Sequence, residues 1–226
     1  MIEQKYIDEM IILSLESSSK SCSAALSQGN KLIAEYSVFG LNIHDKLLAE
    51  FAKRLLDDNG ITINELSAVA VSAGPGSYTG LRIGAAISKG VCYGGKPKLI
   101  AVPTAMALAA AFRYSAIEFG ILKIAVLLHS HKELFFRIEY DTELNTIEEL
   151  NVLSLDELNR TDFSTYLVIS NSDISNISAK KLIHTELKAS YIANTATILA
   201  LKDDYVEPES FLPLYGQEFM PKPKSK

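Results

Sequence analysis

Residues 68–93, AVAVSAGPGSYTGLRIGAAISKGVCY, constrain the fold more than any other stretch of this chain. The apolar run Ala68–Val71 has the pattern of a strand covered on both faces, as strands of parallel sheets are. Gly74 and Gly76 permit a sharp turn and Pro75 fixes it, after which a helical pattern begins. Gly80, Gly84 and Ser88 then recur at every fourth position, so one face of that helix can approach a neighbouring backbone closely. A covered strand that turns directly into a helix is the unit of an α/β fold.

The surrounding segments give this unit a context. Ile11–Glu16, Cys22–Ser27 and Lys31–Phe39 read as three consecutive antiparallel strands, the last two joined by the turn QGN. Leu47, Leu48, Phe51, Ala52, Leu55 and Leu56 follow at helical spacing, and DDNG with Gly60 is a helix stop. Lys98–Pro103 is a further strand. The second half repeats the order: strands at Leu122–Leu128, Leu134–Tyr140 and Thr146–Leu153, a short helix at SLDELNR, and a strand at Tyr166–Ser170. Two copies of β-β-β-α-β with little shared sequence predict an α/β chain of two related lobes of ribonuclease-H/actin type, the second reduced. Expected boundaries are 1–10 for an N-terminal extension, 11–115 for the first lobe, 116–215 for the second and 216–226 for a basic tail.

Charge and composition exclude several classes. The net charge is −5, which disfavours a general nucleic-acid surface built from clustered Lys and Arg. The N-terminus MIEQKYIDEM lacks the apolar core of a signal peptide, and no apolar run nears the ~20 residues of a membrane span. Cys22 and Cys92 stand in no CxxC pattern and are expected to be free thiols of a cytoplasmic protein.

The glycine-rich turn invites comparison with phosphate loops. The dinucleotide fingerprint G-x-G-x-x-G needs two residues between its second and third glycines; Gly76 and Gly80 are separated by three. The Walker pattern needs Lys after its last glycine, whereas Leu81 follows Gly80. A helix N-terminus capped by Ser77 or Thr79 leaves an anion site open, beside the plain reading of a packing joint. Nucleophile chemistry at Ser77 lacks G-x-S-x-G, because Gly76 directly precedes the serine. The four histidines, at 44, 129, 131 and 184, contain no H-x-x-x-H, so no metal site is expected.

The full string is more specific than its glycines. AVAVSAGPGSYTGLRIGAAISKGVCYG, with KLIAVPTAMALA after it, resembles the TsaB family, also called YeaZ, which carries GPGS-[FY]-TGLRIG. ILSLESSSKSCSAAL, NIHDKLLAEFAKRLL and the terminal VEPESFLPLYGQEF extend the resemblance. It implies an actin-like fold and a required but non-catalytic partner of the TsaD enzyme. With the ATPase TsaE, that pair installs threonylcarbamoyl groups on tRNA adenosine. ATP, Mg²⁺ and metal are then expected on the partner subunits and none held tightly here, with tRNA reached only through the complex. Glu16-Ser17-Ser18 lacks the glycine of the D-x-G hairpin of active relatives. His129-Ser130-His131-Lys132 replaces the family's Asp-Ala-Arg-Arg, and Gly216 and Gln217 depart from its terminal element.

The expected working surface is a pair of helices, Asp45–Asp57 and Thr79–Tyr93, packed side by side against two equivalent helices of TsaD. Leu48, Phe51, Ile83, Ala86 and Ile87 would be buried there, with Arg82 and Lys89 facing partner carboxylates. Gly74, Pro75, Gly76, Ser77, Thr79, Gly80 and Gly84 would shape the turn and the helix packing. Alone, the chain is expected to pair as a homodimer through the same face. A glycoprotease-like peptidase using Ser77 or His44, and a standalone nucleotide-binding regulator, are the alternative functions.

Overall fold

The computed structural model describes residues 8–40, 44–174 and 176–216, together with all side chains in those ranges except 44–46. Two five-stranded sheets carry the chain. The first contains β1 (Ile11–Glu16), β2 (Cys22–Gln28), β3 (Lys31–Val38), β4 (Ala68–Ser72) and β5 (Lys98–Val102), ordered β3-β2-β1-β4-β5. The second contains β6 (Lys123–His129), β7 (Leu134–Asp141), β8 (Thr146–Ser154), β9 (Asp162–Ser170) and β10 (Ser178–His184), ordered β10-β9-β6-β7-β8. In each sheet the first three strands form an antiparallel meander, and the last two continue in parallel beside the first. The expected two lobes of ribonuclease-H/actin type are present.

Five α-helices lie wholly among the described residues, α1 (His44–Asn59), α2 (Tyr78–Tyr93), α3 (Thr104–Glu118), α4 (Leu155–Arg160) and α5 (Ala189–Ala200), with a short 3-10 helix at Ile63–Glu65. Alternation along the central strands sets the layers. Leu13 and Leu15 of β1, with Val69 and Val71 of β4, pack against α1 and α2. Met10 and Ile12, with Ala68 and Ala70, face the opposite way onto α5 and the start of α3. The rest of α3 covers the second sheet at Ile124, Val126 and Leu128. Helices α3 and α5, packed on each other, thus lie between the sheets.

Three differences from the sequence reading have physical causes. Strand β9 begins four residues before the expected Tyr166, through the mixed stretch 162–165. Strand β10 and helix α5 carry no readable signal. β10 is an edge strand, SAKKLIH, exposed along most of its length, so alternation is blurred. α5 is apolar nearly all round because it touches both the first sheet and α3. The chain from 189 onward therefore returns to the first sheet, and Val206 bridges Leu99 at its β5 edge. The expected second lobe, 116–215, does not keep to itself. Most of the expected extension 1–10 and nearly all of the tail 216–226 lie outside the described residues. No described helix is long and apolar enough to cross a membrane.

Candidate functional site

The turn between β4 and α2 is fastened on three sides. Thr104 at the start of α3 takes the Gly74 N–H on its hydroxyl at 3.2 Å and gives its own N–H to the Gly74 carbonyl at 2.9 Å. Leu214 donates its N–H to the Ala73 carbonyl at 2.8 Å. Ser77 donates its N–H to the Ser18 carbonyl at 2.7 Å, on the β1–β2 turn. Gly74 has φ +100, a conformation that favours glycine, and a Cβ there would strike the Leu214 carbonyl. The Gly74–Pro75 peptide is cis. Ser77, not Thr79, is the cap of α2, accepting the Gly80 N–H at 3.3 Å; Thr79 is exposed.

The small residues of α2 press on the β1–β2 turn. Ser17 donates its hydroxyl to the Gly80 carbonyl at 2.8 Å, and any side chain at Gly80 would collide with the Ser17 carbonyl. Gly76 lies against Ser18, and Gly84 against Ser17 and Val71. With that face turned inward, α2 presents the opposite one. Arg82 and Ala86 are exposed, while Ile83, Ile87 and Lys89 are half-buried. Arg82 stacks 4.4 Å above the Tyr78 ring and bonds Tyr215; Lys89 sits 6.0 Å from the Phe211 ring. Both cations are thus held by the chain's own residues near its C-terminus.

Two expected interface residues are placed elsewhere. Leu48 is fully buried and Phe51 nearly so, both in the core between α1 and the first sheet. They are corrected to core residues, because α1 must bury its apolar stripe against β2 before any partner arrives. The outward face of α1 is polar instead, with a Lys53–Asp57 ion pair at 2.7 Å. α1 and α2 do pack against each other.

Glu16, at the end of β1, is fully buried. Its Oε1 accepts both the N–H and the hydroxyl of Ser18, at 2.5 and 2.6 Å, while Oε2 has no partner. Burial raises its pKa from 4.5 to about 7, with the Ser18 bonds opposing the shift. The Cys22 and Cys92 thiols are buried and free, and desolvation pushes both up to about 11.

Beside the N-terminal end of α2 a cleft of about 1180 Å³ opens between the sheets. Ser18, Lys20, Ser77 and Tyr215 line it from the first sheet's side, and His129, His131, Lys132 and His184 from the second's. His129 is engaged by the Lys132 carbonyl at 2.8 Å, its ring edge-on to Phe135. Among the described residues no three His, Cys, Asp or Glu converge as metal ligands. The His44 side chain and Gln217 lie outside them. Lys20 and Tyr215 were not singled out from sequence, and His184 was weighed only as a metal ligand; they come from segments far apart in the chain, and only the fold joins them.

Three comparisons bear on identity. The model of the family described as "TsaD: tRNA N6-adenosine threonylcarbamoyltransferase" matches residues 42–201. The Haemophilus influenzae protein named "tRNA threonylcarbamoyladenosine biosynthesis protein TsaB" is 33% identical over 107 residues, 46% of this chain and 44% of that one. Its Buchnera aphidicola namesake from Acyrthosiphon pisum is 30% identical over 138 residues, covering 61% and 60%. The matched stretches thus span about half the length of these curated relatives. A solved structure titled YeaZ, from Pseudomonas aeruginosa, superposes with a TM-score of 0.76 over 91% of this chain and 99% of that one, at 20% identity, a likeness of fold. The glycine turn, the helix it launches and these matches agree: the chain belongs to the family of the TsaD model, on its TsaB (YeaZ) branch.

Proposed function

We propose that this chain is the non-catalytic scaffold subunit of a tRNA threonylcarbamoyladenosine modification complex, docking a TsaD-type catalytic subunit and working with a TsaE-type ATPase. The observation that carries the reading is the outward stripe of α2. Ile83 and Ile87 flank the exposed Ala86, with Arg82 at one end, on a helix whose other face is locked by the Ser17 and Ser18 contacts. Such a rigid, shallow apolar ridge suits packing against another helix. At about 25 cal/mol per Å² its burial offsets part of the cost of association.

Glu16 supports the non-catalytic part. The acidic residue at the end of β1 is buried and tied to Ser18, so it presents no carboxylate to a substrate. The name of the Haemophilus influenzae relative and the description of the matched family model supply the reaction class. Without the partner, the ridge is expected to pair with a second copy, seen as a dimer by light scattering at micromolar concentration.

The test is co-expression with a TsaD-type protein. Ala86→Glu is expected to abolish co-purification while leaving the melting temperature unchanged, and Arg82→Glu to weaken it. Reconstituted tRNA modification should require this chain. Full retention of the partner by both variants overturns the docking face, and modification without this chain overturns the scaffold role.

A further inference from the structure

We propose that the C-terminal strap 209–215 completes the docking face of α2, and that the combined face takes an amphipathic helix of the partner carrying two acidic residues seven positions apart. The strap runs along α2 from its end to its start. Glu209 bonds Tyr93, the Phe211 ring lies 6.0 Å from the Lys89 ammonium, and Tyr215 bonds Arg82 with its ring 4.6 Å from that of Tyr78. Four steps of extended chain reach about 13 Å and two turns of helix about 11 Å. Residues 212–214 therefore lie abreast of Ala86, midway between the two cations.

Burial alternates along the strap. Phe211 and Pro213 are buried, while Leu212 is 78% exposed and Leu214 55%. The inward residues, with the Leu214 N–H on the Ala73 carbonyl, already fasten the strap, so the outward leucines are not what holds it in place. Single exposed leucines are ordinary on a protein surface; two beside an exposed helical stripe make a continuous apolar face. Ala86 is its floor. Ile83 and Ile87, which pack toward the core shared with α1, rise on one side, and Leu212 and Leu214 on the other. One large partner side chain would seat over Ala86 as a knob in a hole. Arg82 and Lys89 close the two ends, and neither enters a described salt bridge. Glu209, an acid on the strap, is engaged by Tyr93. A partner helix lying along this face sets a carboxylate against each cation when its acids are two turns apart, the spacing of Arg82 and Lys89 themselves.

The proposal rests on α2 being the docking face, and the two fail separately. Leu212→Asp and Leu214→Asp should each weaken binding of a purified TsaD-type protein at least about tenfold in calorimetric titration, with an unchanged melting temperature. Ile147→Asp, an equally outward change on edge strand β8, should not. If Ala86→Glu abolishes binding while both strap variants bind as wild type, the strap is no part of the face and the docking reading stands. If all three bind as wild type, the docking reading falls and takes the strap with it. A benzophenone amino acid at position 212 should photo-crosslink to a partner helix with acidic residues seven apart. A crosslink to any other segment, or none, overturns the occupant.

Discussion

Gly80 shows what a single residue contributes here. Replacing a helical glycine with alanine ordinarily gains up to about 1 kcal/mol of helix propensity. At Gly80 the new methyl would meet the Ser17 carbonyl, a main-chain atom that cannot rotate away. Forcing that shift costs about 1–3 kcal/mol, so Gly80→Ala should lower the melting temperature by several degrees. Gly90, on the same helix with nothing within 4 Å of where a Cβ would sit, is the control; Gly90→Ala should leave the melting temperature unchanged or raise it. Glu16 makes a second residue-scale prediction. Its folded pKa of about 7 lies above the usual 4.5, so between those values the folded chain holds a proton that the unfolded chain releases. The stabilisation is complete below pH 4.5 and is lost as pH rises through 7, on the order of 3 kcal/mol in all. Denaturation of Glu16→Gln should therefore show a flatter pH profile than wild type between pH 5 and 8; parallel profiles would refute a buried, protonated Glu16. The turn was legible because glycine and proline mark it directly. The Glu16 environment was not: it depends on Ser18 folding back and on burial, neither of which leaves a trace in spacing.

At the scale of elements, α1 and α2 divide roles that the sequence reading had shared between them. Both were legible as helices, since Leu and Ile recur at helical spacing. Which apolar residues face a partner was not, because a 3.6-residue period marks a buried stripe without saying what buries it. Leu48 sits wholly inside the core, so Leu48→Ala should cost about 2–5 kcal/mol and weaken partner capture only through lost folded protein. Ala86→Glu should do the opposite, with stability intact and capture lost. Comparing urea midpoints with pull-down yields for the two variants separates them. If Leu48→Ala leaves the midpoint unchanged, the core assignment fails. Helix α5 and strand β10 escaped notice for the reasons that make them structural: a helix wrapped by neighbours loses its polar face, and an exposed edge strand loses its apolar one.

The whole molecule is two similar sheets that cannot be separated along the chain. The repeated strand order made the lobes legible, but not the way the last quarter of the sequence laces them together. α5 follows β10 of the second sheet yet buries Ile192 and Ala196 against Met10, Ile12 and Ala70 of the first. Val206 then pairs with β5, and Phe211 enters the first core. Gly216 lies beside Phe136 of the second sheet. Unfolding the second sheet would leave α3 without the apolar face it covers and so loosen its packing on α5, and losing the first sheet would free the helix layer that covers the second. The two lobes should therefore melt as one unit despite their separate cores. Calorimetry is expected to show a single transition with a van't Hoff enthalpy equal to the calorimetric one, roughly 0.7 kcal/mol per residue near 60 °C. Ile192→Asp places a charge in the shared layer and should lower that one transition without splitting it. Two resolved transitions in the wild-type chain would mean that the lobes fold independently and that α5 is an ornament of the first rather than the bolt between them.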